Sequence, residues 1–211
     1  IEGYDACRKM PTPPPPTPGG DVDYEDIYTE GVTKISIEDF AYAKSLNVAI
    51  KLLGMCKKNE SGFFTIVAPF MIPMENPLAN VNGVFNAIDV HGNMLGDVMF
   101  YGKGAGKSAT ASAVVADVVD ILKHKGKHIE VNMNSKKAVL TSKDNAVRKF
   151  FVRVTENLED QAKELFGNKI EIIKSEEVKG EFAFVTDLIS EKDFEEKLWK
   201  LDSVKGYIRL Y

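Results

Sequence analysis

The sequence predicts an α+β protein in two successive parts, and two observations carry the prediction. Four apolar runs rich in β-branched and aromatic residues, separated by Gly, Asn and Pro, lie before Gly102 and are flanked by helical patterns. From Lys149 the order becomes strand, helix, strand, strand, helix, strand, the ferredoxin-like plan in which an antiparallel sheet carries both helices on one face.

Taken in order, the first anomaly is PTPPPPTPGG at residues 11–20, whose prolines remove amide donors and bar the α conformation from the residue before each. An extended, polyproline-like segment is expected, read as a linker or as a ligand for a proline-binding module. Ser36, with Asp39 three residues later, opens a helix over 37–46 on the spacing of Ile37, Phe40, Ala41 and Lys44. Strands follow at 48–56, 63–70, 84–90 and 95–101. Ser108 or Thr110 can cap a helix in which Val115, Val118, Val119 and Leu122 share one face, ending at Lys123 to Gly126. In the second part the expected elements are strand 150–154, helix 157–166, strands 169–175 and 181–188, a helix from Ser190 to about Leu201, and strand 207–211. Phe194, Leu198 and Leu201 form the apolar stripe of that last helix. A part this small is marginal alone and should pack on a neighbour or a second copy.

The 211 residues carry a formal charge of −4, with 44% hydrophobic and 27% charged residues. This offers no basic field for nucleic acid or an anionic membrane, so both are set aside as partners. No apolar run reaches the length of a membrane span, and the N-terminus lacks a signal pattern. Cys7 and Cys56 have no disulfide or zinc spacing, which suits a reducing, cytoplasmic setting. The chain begins at Ile1 rather than Met, as expected of a fragment of a longer one.

His91, His124 and His128 lack the spacing of a metal site, so no metal is expected. The run Tyr101 to Ser108, YGKGAGKS, lies between a strand and a helix, where backbone amides can meet an anion. A P-loop would need glycine at Tyr101 and a terminal Asp on strand HIEVNM (128–133); a dinucleotide fingerprint would need glycine at Lys107. Both fail by one residue, and close packing of a strand-to-helix turn explains the glycines equally well. Asp5 and Lys9 are four apart, so on a helical turn both project from one face, as an ion pair or as a substrate-binding acid and a proton-handling base.

These residues also carry a resemblance. IEGYDACRKM with its GxDxxxK, then DIYTEGVTKISIEDFAYAKSLNVAIKLLGMCKK, then NPLANVNGVFNA and YGxGAGxxxTASAVxxD resemble the catalytic half of homoserine dehydrogenase over about residues 1–124. The resemblance implies a mixed sheet with helices on one face in a catalytic and dimerisation domain at 1–126, a linker at 127–148, and an ACT-like domain at 149–211. It implies NAD(P)-dependent interconversion of L-homoserine and L-aspartate 4-semialdehyde in threonine and methionine synthesis, by a homodimer. Asp5 then matches the aspartate that holds the substrate amino group, and Lys9 the lysine that moves the hydroxyl proton. Gly106 matches a glycine whose backbone approaches the nicotinamide of NAD or NADP. Asp5 is expected to point at substrate ammonium rather than at Lys9.

Three departures qualify this. The family's N-terminal nucleotide-binding domain has no counterpart here, so the chain alone is not expected to turn over substrate. Where the family continues as an apolar helix after the lysine, the proline run leaves Lys9 at a broken helix end. The segment VTENLE at 154–159 also lacks the Asp-x-Pro-Gly of many ACT domains, leaving amino-acid binding and a purely structural or dimerising role both open. The rival readings are a non-catalytic amino-acid-binding regulatory module and a P-loop protein.

Overall fold

The computed structural model describes residues 1–10, 22–127 and 138–211. The proline-rich segment, strand HIEVNM and His128 lie outside the described residues. Two compact units are present: Ile1–Pro73 with Met133–Tyr211, and Met74–Asn132. The first unit joins segments from both ends of the chain because they share one sheet.

In the first unit, α1 (Tyr4–Lys9), β1 (Tyr28–Thr29), α2 (Ile37–Ser45), β2 (Val48–Asn59) and β3 (Gly62–Pro73) come from the N-terminal part. Its C-terminal elements follow the order foreseen from Lys149. They are β7 (Phe150–Thr155), α4 (Glu159–Phe166), β8 (Glu171–Ile173), β9 (Glu181–Val185), α5 (Glu191–Leu198) and β11 (Val204–Leu210). A short ladder of β6 (Val147–Arg148) with β10 (Ile189–Ser190) stands apart.

The main sheet has seven strands ordered β1-β3-β11-β7-β9-β8, with β2 also on β3. It is mixed: β1 and β11 run parallel to β3, and the other pairs are antiparallel. Arg209 opposite Phe70 and Leu210 opposite Met71 join the C-terminal strands to the N-terminal ones.

Alternation along β7 explains why both faces of the sheet are covered, with α4 and α5 together on one and α2 on the other. Phe150, Val152 and Val154 pack with Ala162 of α4 and Phe194 of α5, while Phe151 packs with Tyr42 and Ala43 of α2. Successive side chains of a strand point to opposite faces, so a strand buried throughout needs cover on both. The Phe150 and Phe194 rings stack at 3.6 Å and 4°. Burying each such side chain contributes about 1.5–3 kcal/mol.

The second unit holds β4 (Phe85–Gly92), β5 (Gly96–Lys103) and α3 (Lys107–Lys123). β4 and β5 form a two-stranded antiparallel ribbon. Its Ile88, Val90 and Phe100, and Val114, Val115, Val118, Ile121 and Leu122 of α3, are exposed. No helix among the described residues is long and apolar enough to cross a membrane.

Candidate functional site

Helix α1 places the two N-terminal candidates. Gly3 precedes it at φ +84°, a left-handed conformation that glycine adopts without strain. A Cβ there would also come within 3.0 Å of Thr29 Cγ2 and 3.3 Å of Val67 Cγ1. Cys7 is 2% exposed and packs with Ile27 and Val67, so the opposite face of the turn is turned outward. That face carries Asp5 and Lys9, with Lys9 Nζ donating to Asp5 Oδ2 at 2.8 Å. Asp5 thus meets Lys9, where it was expected to point at a substrate ammonium rather than at the lysine.

The helix ends at Lys9, as Met10 turns extended (φ −60°, ψ 129°) ahead of Pro11. The Met10 side chain covers Gly54 of β2, where a Cβ would come within 2.3 Å of its Sδ. Met10 is thus anchored by packing on β2.

Gly106 lies in the second unit and precedes α3 at φ +121°, with nothing within 4 Å of where its Cβ would stand. Its carbonyl accepts from Thr110 N–H at 3.0 Å, so Gly106 takes the cap position expected of Ser108 or Thr110. The ribbon brings two sequence motifs together: Asn86 pairs with Gly102, and Phe85 stacks on Tyr101 at 4.9 Å. A Cβ on Gly104 would fall 2.2 Å from Asn86 Nδ2, so the glycine admits the close approach of that asparagine.

His91 pairs with Asp97, and His124 with Asp120. Among the described residues no group of three His, Cys, Asp or Glu is arranged to hold a metal ion. Cys7 and Cys56 are free thiols.

Two buried arginine clusters have no counterpart in the sequence reading. Arg153 of β7 donates Nε–H to Asp39 at 2.7 Å, Nη1–H to Glu181 at 2.9 Å and Nη2–H to Ser36 at 2.9 Å. Arg209 of β11 donates to both oxygens of Glu191 at 2.9 and 3.2 Å through Nε, and through Nη1 to Glu30 at 2.6 Å. Burial disfavours the Arg209 charge, but the hydrogen bonds and field of Glu191, reinforced by Glu30, outweigh it and hold the pKa above the ordinary value. Arg148 lies 3.1 Å from Glu191 and over the Phe70 ring, and there burial prevails, lowering its pKa. Tyr207 is pushed up to about 12, by burial first and then by the negative field of Glu30. Lone arginines in strand patterns, as in FFVRV and YIRLY, were the available signal. A charge at a core position of a strand requires a buried partner.

A family model described as homoserine dehydrogenase matches residues 1–119. The homoserine dehydrogenase of Pseudomonas aeruginosa is 42% identical over 123 residues, covering 58% of this chain and 28% of that protein. That of Bacillus subtilis is 38% identical over 124 residues, covering 59% of this chain and 29% of its own length. Among solved structures, a homoserine dehydrogenase from Thiobacillus denitrificans aligns over the whole chain with a TM-score of 0.81 and 28% identity. One from S. aureus aligns with a TM-score of 0.72 and 27% identity. The chain covers 53% and 52% of those two proteins, so it spans about half their length.

Proposed function

The chain belongs to the homoserine dehydrogenase family, and on that premise we propose that it supplies the substrate-handling part of an enzyme interconverting L-homoserine and L-aspartate 4-semialdehyde with NAD or NADP. The observation that carries the reading is the solvent-facing Asp5–Lys9 pair, one helical turn apart on α1 and 2.8 Å apart, within the matched region.

In this reading Asp5 exchanges the Lys9 ammonium for that of the substrate, Lys9 releases its own proton to solvent, and the neutral amine then takes the hydroxyl proton as the alcohol is oxidised. In the reverse direction Lys9 returns the proton to the carbonyl oxygen. Gly106 suits the close approach of a flat ring, since the space beside its Cα is open and a side chain would fill it. When bound, the nicotinamide supplies hydride transfer. The residues of this chain orient the amino acid and move its proton.

The same reading assigns 1–126 as the catalytic and dimerisation domain, 127–148 as a linker and 149–211 as an ACT-like domain, in which an amino-acid effector would bind. The β-α-β-β-α-β order and the β11-β7-β9-β8 strand sequence support the last assignment. Homodimerisation is supported by the apolar face of the β4–β5 ribbon, because an isolated two-stranded ribbon is marginal in water and its exposed Ile88, Val90 and Phe100 need cover. A cytoplasmic setting accords with the free thiols.

The test joins the chain to a nucleotide-binding domain of a family member and assays NAD(P)-dependent oxidation of homoserine. Activity is expected, with a loss of about 10²- to 10⁴-fold in kcat on Lys9→Ala, the range of a general acid–base group. Undiminished activity in that variant would reject the role of Lys9. Calorimetry with threonine, methionine and lysine tests the effector site, and no heat from any of them would leave 149–211 a structural domain.

A further inference from the structure

Glu30 sits at the meeting point of the C-terminal strands and the segment that grips α1. Its backbone N–H donates to Val67 O at 2.8 Å, fixing it on β3. Its carboxylate Oε2 accepts from Arg209 Nη1 at 2.6 Å and from Tyr28 Oη at 3.2 Å. Arg209 is 1% exposed and is itself clamped by Glu191, so the Glu30 side chain is held by a group that cannot swing.

From Glu30 the contacts lead straight to α1. A Cβ on the next residue, Gly31, would lie 2.5 Å from Ile1 O and 2.6 Å from Glu2 Cα, so the backbone before α1 rests directly on it. Val32 N–H donates to Ile1 O at 3.0 Å. A Cβ on Gly3, the cap of α1, would meet Glu30 O at 3.5 Å and Thr29 Cγ2 at 3.0 Å. Beneath the helix, Cys7 packs on Ile27 and Val67 and donates its S–H to Tyr24 O at 3.3 Å. A six-residue helix has too few hydrogen bonds to hold its own direction, so that direction is set by this bed.

We propose that Glu30, fixed by Arg209, is a positioning residue that sets the direction of α1 and with it the placement of Asp5 and Lys9. It acts through the Gly31 to Val32 backbone and touches no reacting atom. The inference rests on the reading that Asp5 and Lys9 handle substrate, but one of its consequences can be measured without activity.

Glu30→Gln removes one of the two carboxylates that face Arg209 and leaves Glu191, which Arg148 shares, and Gly31→Ala displaces the start of α1 without altering any buried charge. In the chain itself, titration with an aromatic disulfide reagent should find Cys56 reactive and Cys7 protected. In both variants, Cys7 should react about tenfold faster as α1 loosens, with the main unfolding transition retained. In the chain joined to a nucleotide-binding domain, both variants should raise KM for homoserine about tenfold, leave KM for the dinucleotide unchanged, and lose that effect in an Asp5→Ala background. Cys7 as protected as in the parent, or an effect on KM undiminished by Asp5→Ala, overturns the positioning role. Asp5→Ala with parental kinetics would instead reject the assignment of Asp5, while the Cys7 measurement continued to test Glu30.

Discussion

Arg153 and Asp39, 114 positions apart, meet at 2.7 Å with only 4% and 2% of their side chains exposed. Asp39 serves two purposes: Oδ2 accepts the Ser36 N–H at 2.8 Å at the start of α2, and Oδ1 accepts from Arg153 on β7. The same carboxylate therefore opens a helix and fastens it to the sheet.

Removing one partner leaves the other charge buried. Asp39→Ala is expected to cost about 3–5 kcal/mol, as for other broken buried pairs. Replacing the whole cluster, as Asp39→Leu with Arg153→Met and Glu181→Gln, should recover much of that loss, since Arg153 also pairs with Glu181 at 2.9 Å. Urea unfolding of both variants beside the parent checks this, and an Asp39→Ala midpoint equal to the parent's would contradict it.

The stacked Phe150 and Phe194 sit at the centre of the core beneath α4 and α5. Truncating Phe194 to Ala is expected to destabilise by about 3–5 kcal/mol. Trp199, 90% exposed at the end of the same helix, should tolerate Ala with a change of about 0.5 kcal/mol or less. Thermal melts of the two variants provide the comparison.

Tyr207 links stability to alkaline pH. Its folded pKa lies at about 12, above the ordinary 10.0, so between those values the folded chain keeps a proton that the unfolded chain has released. The associated stability is complete below pH 10 and is lost as pH rises toward 12. Unfolding midpoints measured across that window should fall less steeply for Tyr207→Phe, and tyrosinate absorbance should show one fewer late-titrating phenol. Equal slopes would place the origin elsewhere.

The ribbon offers a test of assembly. Ile88 and Phe100 are 66% and 64% exposed and face each other across β4 and β5. Ile88→Lys with Phe100→Lys should lower the mass measured by sedimentation toward that of a monomer, while leaving the seven-stranded sheet folded. A species that remains dimeric would move the interface away from this face.

Gly106 at φ +121° cannot accept a side chain without backbone strain. Gly106→Ala in the chain joined to a nucleotide-binding domain is expected to lower kcat/KM for the dinucleotide at least about tenfold, an effect of roughly 1.4 kcal/mol. Parental values would separate Gly106 from the cofactor.

Local pattern made most elements legible. Ser36 and Asp39 announced α2, found at Ile37–Ser45, and the alternation of FFVRV announced β7. Bounds shifted where pairing decides them: the strand expected over 169–175 is paired only at Glu171–Ile173, opposite Val185–Ala183. Its neighbouring helix opens as a tight 3₁₀ turn at Glu156–Leu158 before becoming regular at Glu159. Asp5 and Lys9 were legible as a pair because i and i+4 are neighbours on any helix. Their bed was not, since Ile27, Glu30 and Val67 reach α1 through the folding of the chain.

The sequence by itself determined the order of strands and helices, the one-turn spacing of Asp5 and Lys9, and the glycine-rich turn before α3, all products of short-range geometry. Only the tertiary structure decided that β11 would lie beside β3 and that Arg209 would find Glu30 179 positions away. The reason is physical: a buried guanidinium must have a carboxylate, but which of 31 acidic residues supplies it depends on where the closing of the sheet brings them.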